Sequence, residues 1–135
     1  MPPLTRWFLK AALVYLVLAL CAGVLLALPD AILIPGAFPV YFHLLTFGWL
    51  TQLIFGIAFW MFPKFSTTRP RGPEWLGWST FLLLNIGLLL RMVFEPLNGI
   101  AASALSGWML VVAAFLQWLS GVAFVANTWK RVREK

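Results

Sequence analysis

Hydrophobic residues fall in four long runs along the chain, at residues 7–28, 40–62, 75–94 and 101–128, separated by short stretches that collect proline, glycine and charge. Each run has the roughly 20 residues that a helix needs to cross a hydrocarbon core of about 30 Å. The pattern predicts four transmembrane helices in a single domain, residues 1–135, with no segment left for a soluble domain. Pro29 and the segment Pro35-Gly36-Ala37-Phe38-Pro39 are expected to break the chain between the first two helices. The proline-rich stretch from Pro63 to Pro73 serves the next pair, and Pro96-Leu97-Asn98-Gly99 the last. Connections this short make successive helices antiparallel neighbours, so the expected fold is an all-α, integral membrane, up-down bundle of four.

Within the runs, small residues recur at helical spacing. Ala19, Gly23 and Ala27 form such a face on the first helix, and Ser103 with Gly107 begins one on the fourth. Faces of this kind let backbones approach closely in lipid. On the second helix Gly48, Gln52 and Gly56 make one stripe. At about 100° per residue His43 aligns with Phe47, Leu50, Ile54 and Met61, roughly opposite the glycines. The glycine side is expected to pack within the bundle, and the histidine side to face a partner or a flat cofactor.

Composition agrees with the pattern. The chain is 62% hydrophobic and only 10% charged, too few polar residues to cover a soluble domain. Arg6 and Lys10 ahead of a run ending in Ala27-Leu28-Pro29-Asp30 have the layout of a signal peptide, but the run is expected to stay as a span. A lipoprotein site at Cys21 is excluded by the leucine before it, and a lone cysteine within the bilayer has no intrachain disulfide partner.

The formal net charge of +6 is unevenly placed. Arg6 and Lys10 precede the first run, Lys64, Arg69 and Arg71 separate the second from the third, and Lys130, Arg131, Arg133 and Lys135 follow the fourth. By the positive-inside rule both termini are cytoplasmic, with Trp7, Trp60, Trp75, Trp78 and Trp129 as a belt at that interface. Attraction to anionic lipid accounts for the basic charge, so no nucleic-acid partner is called for.

Candidate chemistry is sparse. His43 is the one histidine of the chain, and the topology sets it a turn or less below the outer surface. Arg91, Met92 and Glu95 fall at similar depth on the third helix. Imidazole or thioether can ligate haem iron, and a guanidinium can meet a propionate. The same residues also have plain explanations: a histidine wetted at an interface or bonded to a backbone carbonyl, an ion pair at i, i+4 and a packing methionine. One histidine and one cysteine do not make a copper or zinc centre. Gln52, Asn85, Gln117 and Asn127 are expected to hydrogen-bond helices together.

The segment from Tyr41 to Lys64, YFHLLTFGWLTQLIFGIAFWMFPK, resembles the tenth helix of the catalytic subunit of the haem-copper oxidase superfamily, especially its nitric oxide reductase branch. The shared elements are His43, Gly48 and the closing Phe59-Trp60-Met61-Phe62-Pro63-Lys64. The family pattern has two histidines one residue apart, and Tyr41 stands here at the first. The resemblance therefore implies a b-type haem on His43, without the further histidines of a two-metal reductase centre; Arg91 resembles the family's propionate-meeting arginines, and the sixth iron position is left open, whether empty, filled by Met92 or, in a dimer, taken by the second chain's His43.

It also implies one four-helix arc standing alone, which would assemble as a homo-oligomer, a trimer or else a dimer. The implied role is a haem b protein of a bacterial inner membrane, binding nitric oxide or oxygen or relaying electrons beside a terminal reductase. The alternatives are a haem-free accessory subunit of a nitric oxide reductase or cytochrome oxidase, and a small transporter.

Overall fold

The computed structural model describes residues 1–28, 35–68 and 70–132. Pro29, Asp30, Arg69, Arg133 and Lys135, all used in the loop and charge reading above, lie outside the described residues. Among those described the chain is all helical, with four helices long and apolar enough to cross a membrane: α1 Pro3–Leu26, α2 Ala37–Met61, α3 Glu74–Ile100 and α4, Ala104–Thr128 plus a closing 3₁₀ turn at Trp129–Arg131.

Packing follows from where glycine and small polar residues allow contact. A methyl on Gly48 would sit 2.8 Å from Tyr15 Cβ, and one on Gly56 2.7 Å from Phe8 Cβ, so α2 lies against α1 at nearly backbone distance. Gln52, between these glycines, is fully buried. The glycine stripe thus packs inside the chain, as the sequence suggests. Gly87 of α3 meets the Ala113 carbonyl of α4, and Ser120 Oγ donates to the Thr80 carbonyl at 2.8 Å, so those two helices run side by side in opposite directions. Gln52 and Asn85 exchange two amide hydrogen bonds of 3.2 and 3.3 Å between α2 and α3. Tyr15, Ala19, Leu44, Leu84 and Leu88 form a core among α1, α2 and α3.

Two features of the small-residue reading are corrected. Ala27 is exposed, so the packing face of α1 runs instead from Leu4 through Phe8, Ala12 and Tyr15 to Ala19. Gly107 has nothing within 4 Å of where its Cβ would be. Ser103 is not part of a packing face but the N-cap of α4: its Oγ accepts the Ser106 N–H at 3.1 Å, and Ser106 Oγ accepts the Ser103 N–H at 3.2 Å. Each bond satisfies a backbone donor that the first helical turn would leave orphaned.

The turn before α4 also moves. Pro96 lies inside α3 rather than ending it, and the break comes at Ala101, whose backbone is extended. Proline removes one ladder bond, a defect that membrane helices tolerate when neighbours support them. Here Gly36, with φ of +81°, presses on the Glu95 carbonyl, and Gly99 on Pro35. Gly36 can take that conformation because it has no Cβ. Ser106 Oγ completes the corner by donating to Asn98 Oδ1 at 2.7 Å.

At the opposite end, Arg131 is 3% exposed. Its Nε donates to the Pro63 carbonyl at 2.9 Å, and its Nη2 to the Phe59 and Phe62 carbonyls at 3.0 and 2.8 Å. Pro63 follows the last helical turn of α2, whose final carbonyls have no intrahelical donors. A planar fork of five N–H groups suits several carbonyls at once. Arg131 therefore fastens α4 to the end of α2, a role that its place in a basic tail does not reveal.

Candidate functional site

The centre of α2 decides what His43 faces. Residues Leu44–Thr51 form a π-helical stretch beginning immediately after the histidine. Within it Thr46 Oγ1 donates to the Phe42 carbonyl at 2.7 Å, occupying an acceptor that the 46 N–H would use in an α-helix. A π stretch winds more slowly than 3.6 residues per turn, so the face reached several turns later is not the one a uniform helix gives. His43, Phe47 and Phe55 consequently share one side, while Leu50, Ile54 and Met61, expected to align with the histidine, are exposed. The histidine side flanks the buried glycine stripe instead of opposing it.

That side opens into a groove of about 1110 Å³ between α2 and α4, with Arg91 of α3 also on its wall. Cofactor and ligand sites commonly run from roughly 300 to 1,000 Å³. The walls are mostly apolar, and Phe55 stacks on Phe124 across the groove, centroids 3.9 Å apart.

Three polar side chains enter this apolar setting. His43 Nδ1 lies 2.8 Å from the Pro39 carbonyl oxygen. A carbonyl only accepts, so Nδ1 carries the proton, and in the neutral ring Nε2 holds the lone pair. Metal-ligating histidines are commonly oriented by just such a bond from the other nitrogen. The imidazole also stacks on the Phe47 ring at 5.7 Å and 15°. Arg91 Nη1 pairs with Glu95, and its Nε donates to Gln117 Oε1 at 3.3 Å. Nη2 has no hydrogen-bond partner among the described residues. Because arginine can only donate, the amide oxygen of Gln117 is the atom facing it, which directs Nε2 the other way. Gln117 is 7% exposed, yet Nε2 finds no acceptor among the described residues.

The structure thus brings His43 and Arg91 to one groove and leaves Met92 out of it. Met92 packs against the core of Tyr15, Leu44 and Leu88, so its thioether belongs to the core packing. His43 lies six residues, ~9 Å, beyond the start of α2 at Ala37, and Arg91 nine residues, ~13 Å, before the end of α3 at Ile100. At these ends both helices run further than the apolar runs suggest, so each residue lies more than one turn from the end of its helix. Of the four amides, Gln52 and Asn85 bridge helices and Gln117 does so through Arg91, whereas Asn127 Oδ1 is buried without a hydrogen-bond partner among the described residues. Gln117 had appeared only as helix glue; its place in the groove depends on the pairing of α3 with α4, which periodicity does not give.

Among the described residues no three of His, Cys, Asp and Glu come together to hold a metal ion. Comparison with known proteins finds no matching family model, no matching curated protein and no matching solved structure.

Proposed function

We propose that the protein is a haem b-binding membrane protein in which His43 Nε2 ligates the iron and Arg91 meets a propionate. The observation that carries this reading is the Nδ1–Pro39 bond, which leaves Nε2 as the lone-pair nitrogen on a residue lining a cofactor-sized apolar groove. Arg91 keeps Nη2 for a carboxylate oxygen, and Phe47 supports the imidazole ring from one face. When bound, haem supplies an iron that takes up an electron or a small gas such as nitric oxide or oxygen. The residues of this chain hold and orient it and keep the surroundings dry.

The proposed setting is a bacterial inner membrane, with the four helices running up and down and both termini in the cytoplasm. The likeness of the Tyr41 to Lys64 segment to the haem-copper oxidase superfamily supports a place in a respiratory or denitrifying chain, beside a nitric oxide reductase or cytochrome oxidase. A homo-oligomer, three chains or two, follows from the same likeness. With one histidine in the chain, the reading assigns it no two-metal reductase chemistry of its own.

The deciding measurement is an absorption spectrum of protein purified after expression with ample haem. A Soret band in the wild type that disappears in a folded His43→Ala variant supports haem ligation. A colourless wild type overturns it and favours the haem-free accessory subunit, a reading to which the existing Arg91–Glu95 pair also lends itself.

A further inference from the structure

We propose that the groove between α2 and α4 is a binding site for a neutral membrane quinone. Its ring carbonyl accepts from Gln117 Nε2, and its apolar chain lies along the trough past Gly121 toward Trp129. The proposal is carried by Gln117 and Gly121 and does not rest on haem binding at His43.

Gln117 is the starting point. A buried N–H without an acceptor costs about as much as a lost hydrogen bond, and in lipid no water is at hand to supply one. The amide orientation is fixed by Arg91, so the unmet atom is a donor, and its ligand must present an acceptor oxygen. Depth and charge narrow the class. Gln117 lies 13 residues after Ala104 and 11 before Thr128, about 20 and 16 Å along the helix, close to its middle. Phospholipid headgroups do not reach the middle of a bilayer, and an ionised ligand there is costly unless paired. Gln117 Nε2 is itself an uncharged donor near the middle of the helix, and a ketone oxygen satisfies it without bringing to that atom the charge of a fatty-acid carboxylate.

Shape points to a planar head with a tail. The His43–Phe47 stack presents flat rings in the same groove. Below Gln117 the wall is Gly121, where a Cβ would meet nothing within 4 Å, followed by Val125 and Ala126. From Gln117 to Trp129 the trough runs 12 residues, ~18 Å, room for an apolar chain.

The test uses full-length protein in dodecyl maltoside micelles, which contain no carbonyl lipid. Direct binding of radiolabelled decylubiquinone is measured, with dodecanoate and dodecane as competitors. The expected result is saturable binding at one quinone per chain, displaced by neither competitor at matched concentration. Binding should weaken about tenfold in Gln117→Leu, as expected for a lost buried hydrogen bond, and disappear in Gly121→Leu, where the added side chain fills the trough without a clash in the helix. Gly107→Ala, which lies outside the groove, should bind quinone as the wild type does, and haem, read by its Soret band, is scored separately from quinone. Unchanged affinity in folded Gln117→Leu, displacement by dodecanoate, or non-saturable uptake would overturn the proposal. So would a wild type that binds no quinone and whose oligomeric state changes in Gly121→Leu, since the groove would then be an interface between copies.

Discussion

His43 Nδ1 donates to the carbonyl of Pro39, one turn earlier on the same helix, at 2.8 Å. The bond is set by helix geometry and by a proline that accepts but cannot donate, so the ring is oriented before any ligand arrives. Free imidazole lacks that orientation. His43→Gly is therefore expected to lose the haem band and regain it when millimolar imidazole is added. Haem retention should stay about 10–100-fold weaker than in the wild type, the usual consequence of losing an oriented ligand nitrogen. Titration of the variant with imidazole, followed in the Soret region, checks this; no recovery at any imidazole concentration would count against iron ligation at this position.

Arg91 and Glu95 form an ion pair with side chains only 16% and 14% exposed. Deleting one partner of such a pair strands a charge in a poorly solvated place, at a cost of about 3–5 kcal/mol, whereas deleting both is far milder. Arg91→Ala is expected to weaken haem retention without abolishing it and to lower stability, and Arg91→Ala with Glu95→Ala to recover most of that stability. Unfolding in mixed micelles compares the three proteins. Equal stability of the single and double variants would mean that the pair is fully wet.

Much of the fold is legible in the sequence because hydrophobic runs report directly on what lipid requires. The four spans and the inward glycine stripe of α2 follow from spacing and residue type, as does a helix-bridging role for the amides, whereas the pairing of Gln52 with Asn85 comes from the structure. The helix ends do not. Pro96 reads as a stop, but its neighbours Gly36 and Gly99 pack tightly enough to carry the helix through. The site itself is half legible. His43 and Arg91 are conspicuous as ionisable groups in apolar runs, yet the π stretch that turns Phe55 to their side arises from backbone bonding that periodicity averages away. Gln117 looks like any other intramembrane amide until the register of α4 places it beside Arg91.

Close packing on α1 gives a third expectation. A methyl at Gly48 or Gly56 would lie 2.8 or 2.7 Å from a Cβ of the facing helix, a contact that forces backbone movement. Overpacking of this kind costs about 1–3 kcal/mol, against a gain of ~1 kcal/mol in helix propensity from glycine to alanine. Gly48→Ala and Gly56→Ala are thus expected to be net destabilising, and Gly107→Ala, where the space is open, stabilising. Opposite signs at these positions in a thermal unfolding series establish the packing; uniform stabilisation would place α1 further from α2.

The pairing of Gln52 with Asn85 is testable by a double-mutant cycle. Gln52→Leu and Asn85→Leu each leave one amide facing lipid or core without its partner, while the double variant removes both. Amide bonds between membrane helices are worth about 0.6–2 kcal/mol, so the coupling energy is expected in that range. Asn85 Nδ2 also donates to the Phe81 carbonyl at 2.7 Å, which makes Gln52 the more dependent partner and Asn85→Leu the more damaging single change. Equal costs for the two singles would argue that the Phe81 contact does not anchor Asn85.

Arg131 allows charge and shape to be separated at the end of α2. Any basic residue there would serve the positive-inside bias, since lysine and arginine count alike for topology. Only arginine spreads donors over the Pro63, Phe59 and Phe62 carbonyls from a single planar group, and its guanidinium also lies 5.7 Å from the Phe59 ring centroid. A lysine ammonium is a compact point charge that cannot reproduce that fork. Arg131→Lys is therefore expected to keep the membrane orientation of the wild type while losing about 1–3 kcal/mol of stability, because carbonyls at the end of α2 lose their donors. Arg131→Ala should lose more. Orientation is read from the labelling of cysteines introduced at Ser66 and Ser103, and stability from unfolding in micelles. If lysine restores full stability, the residue acts only as a charge, and the attachment of α4 to α2 must come from Phe55 stacked on Phe124.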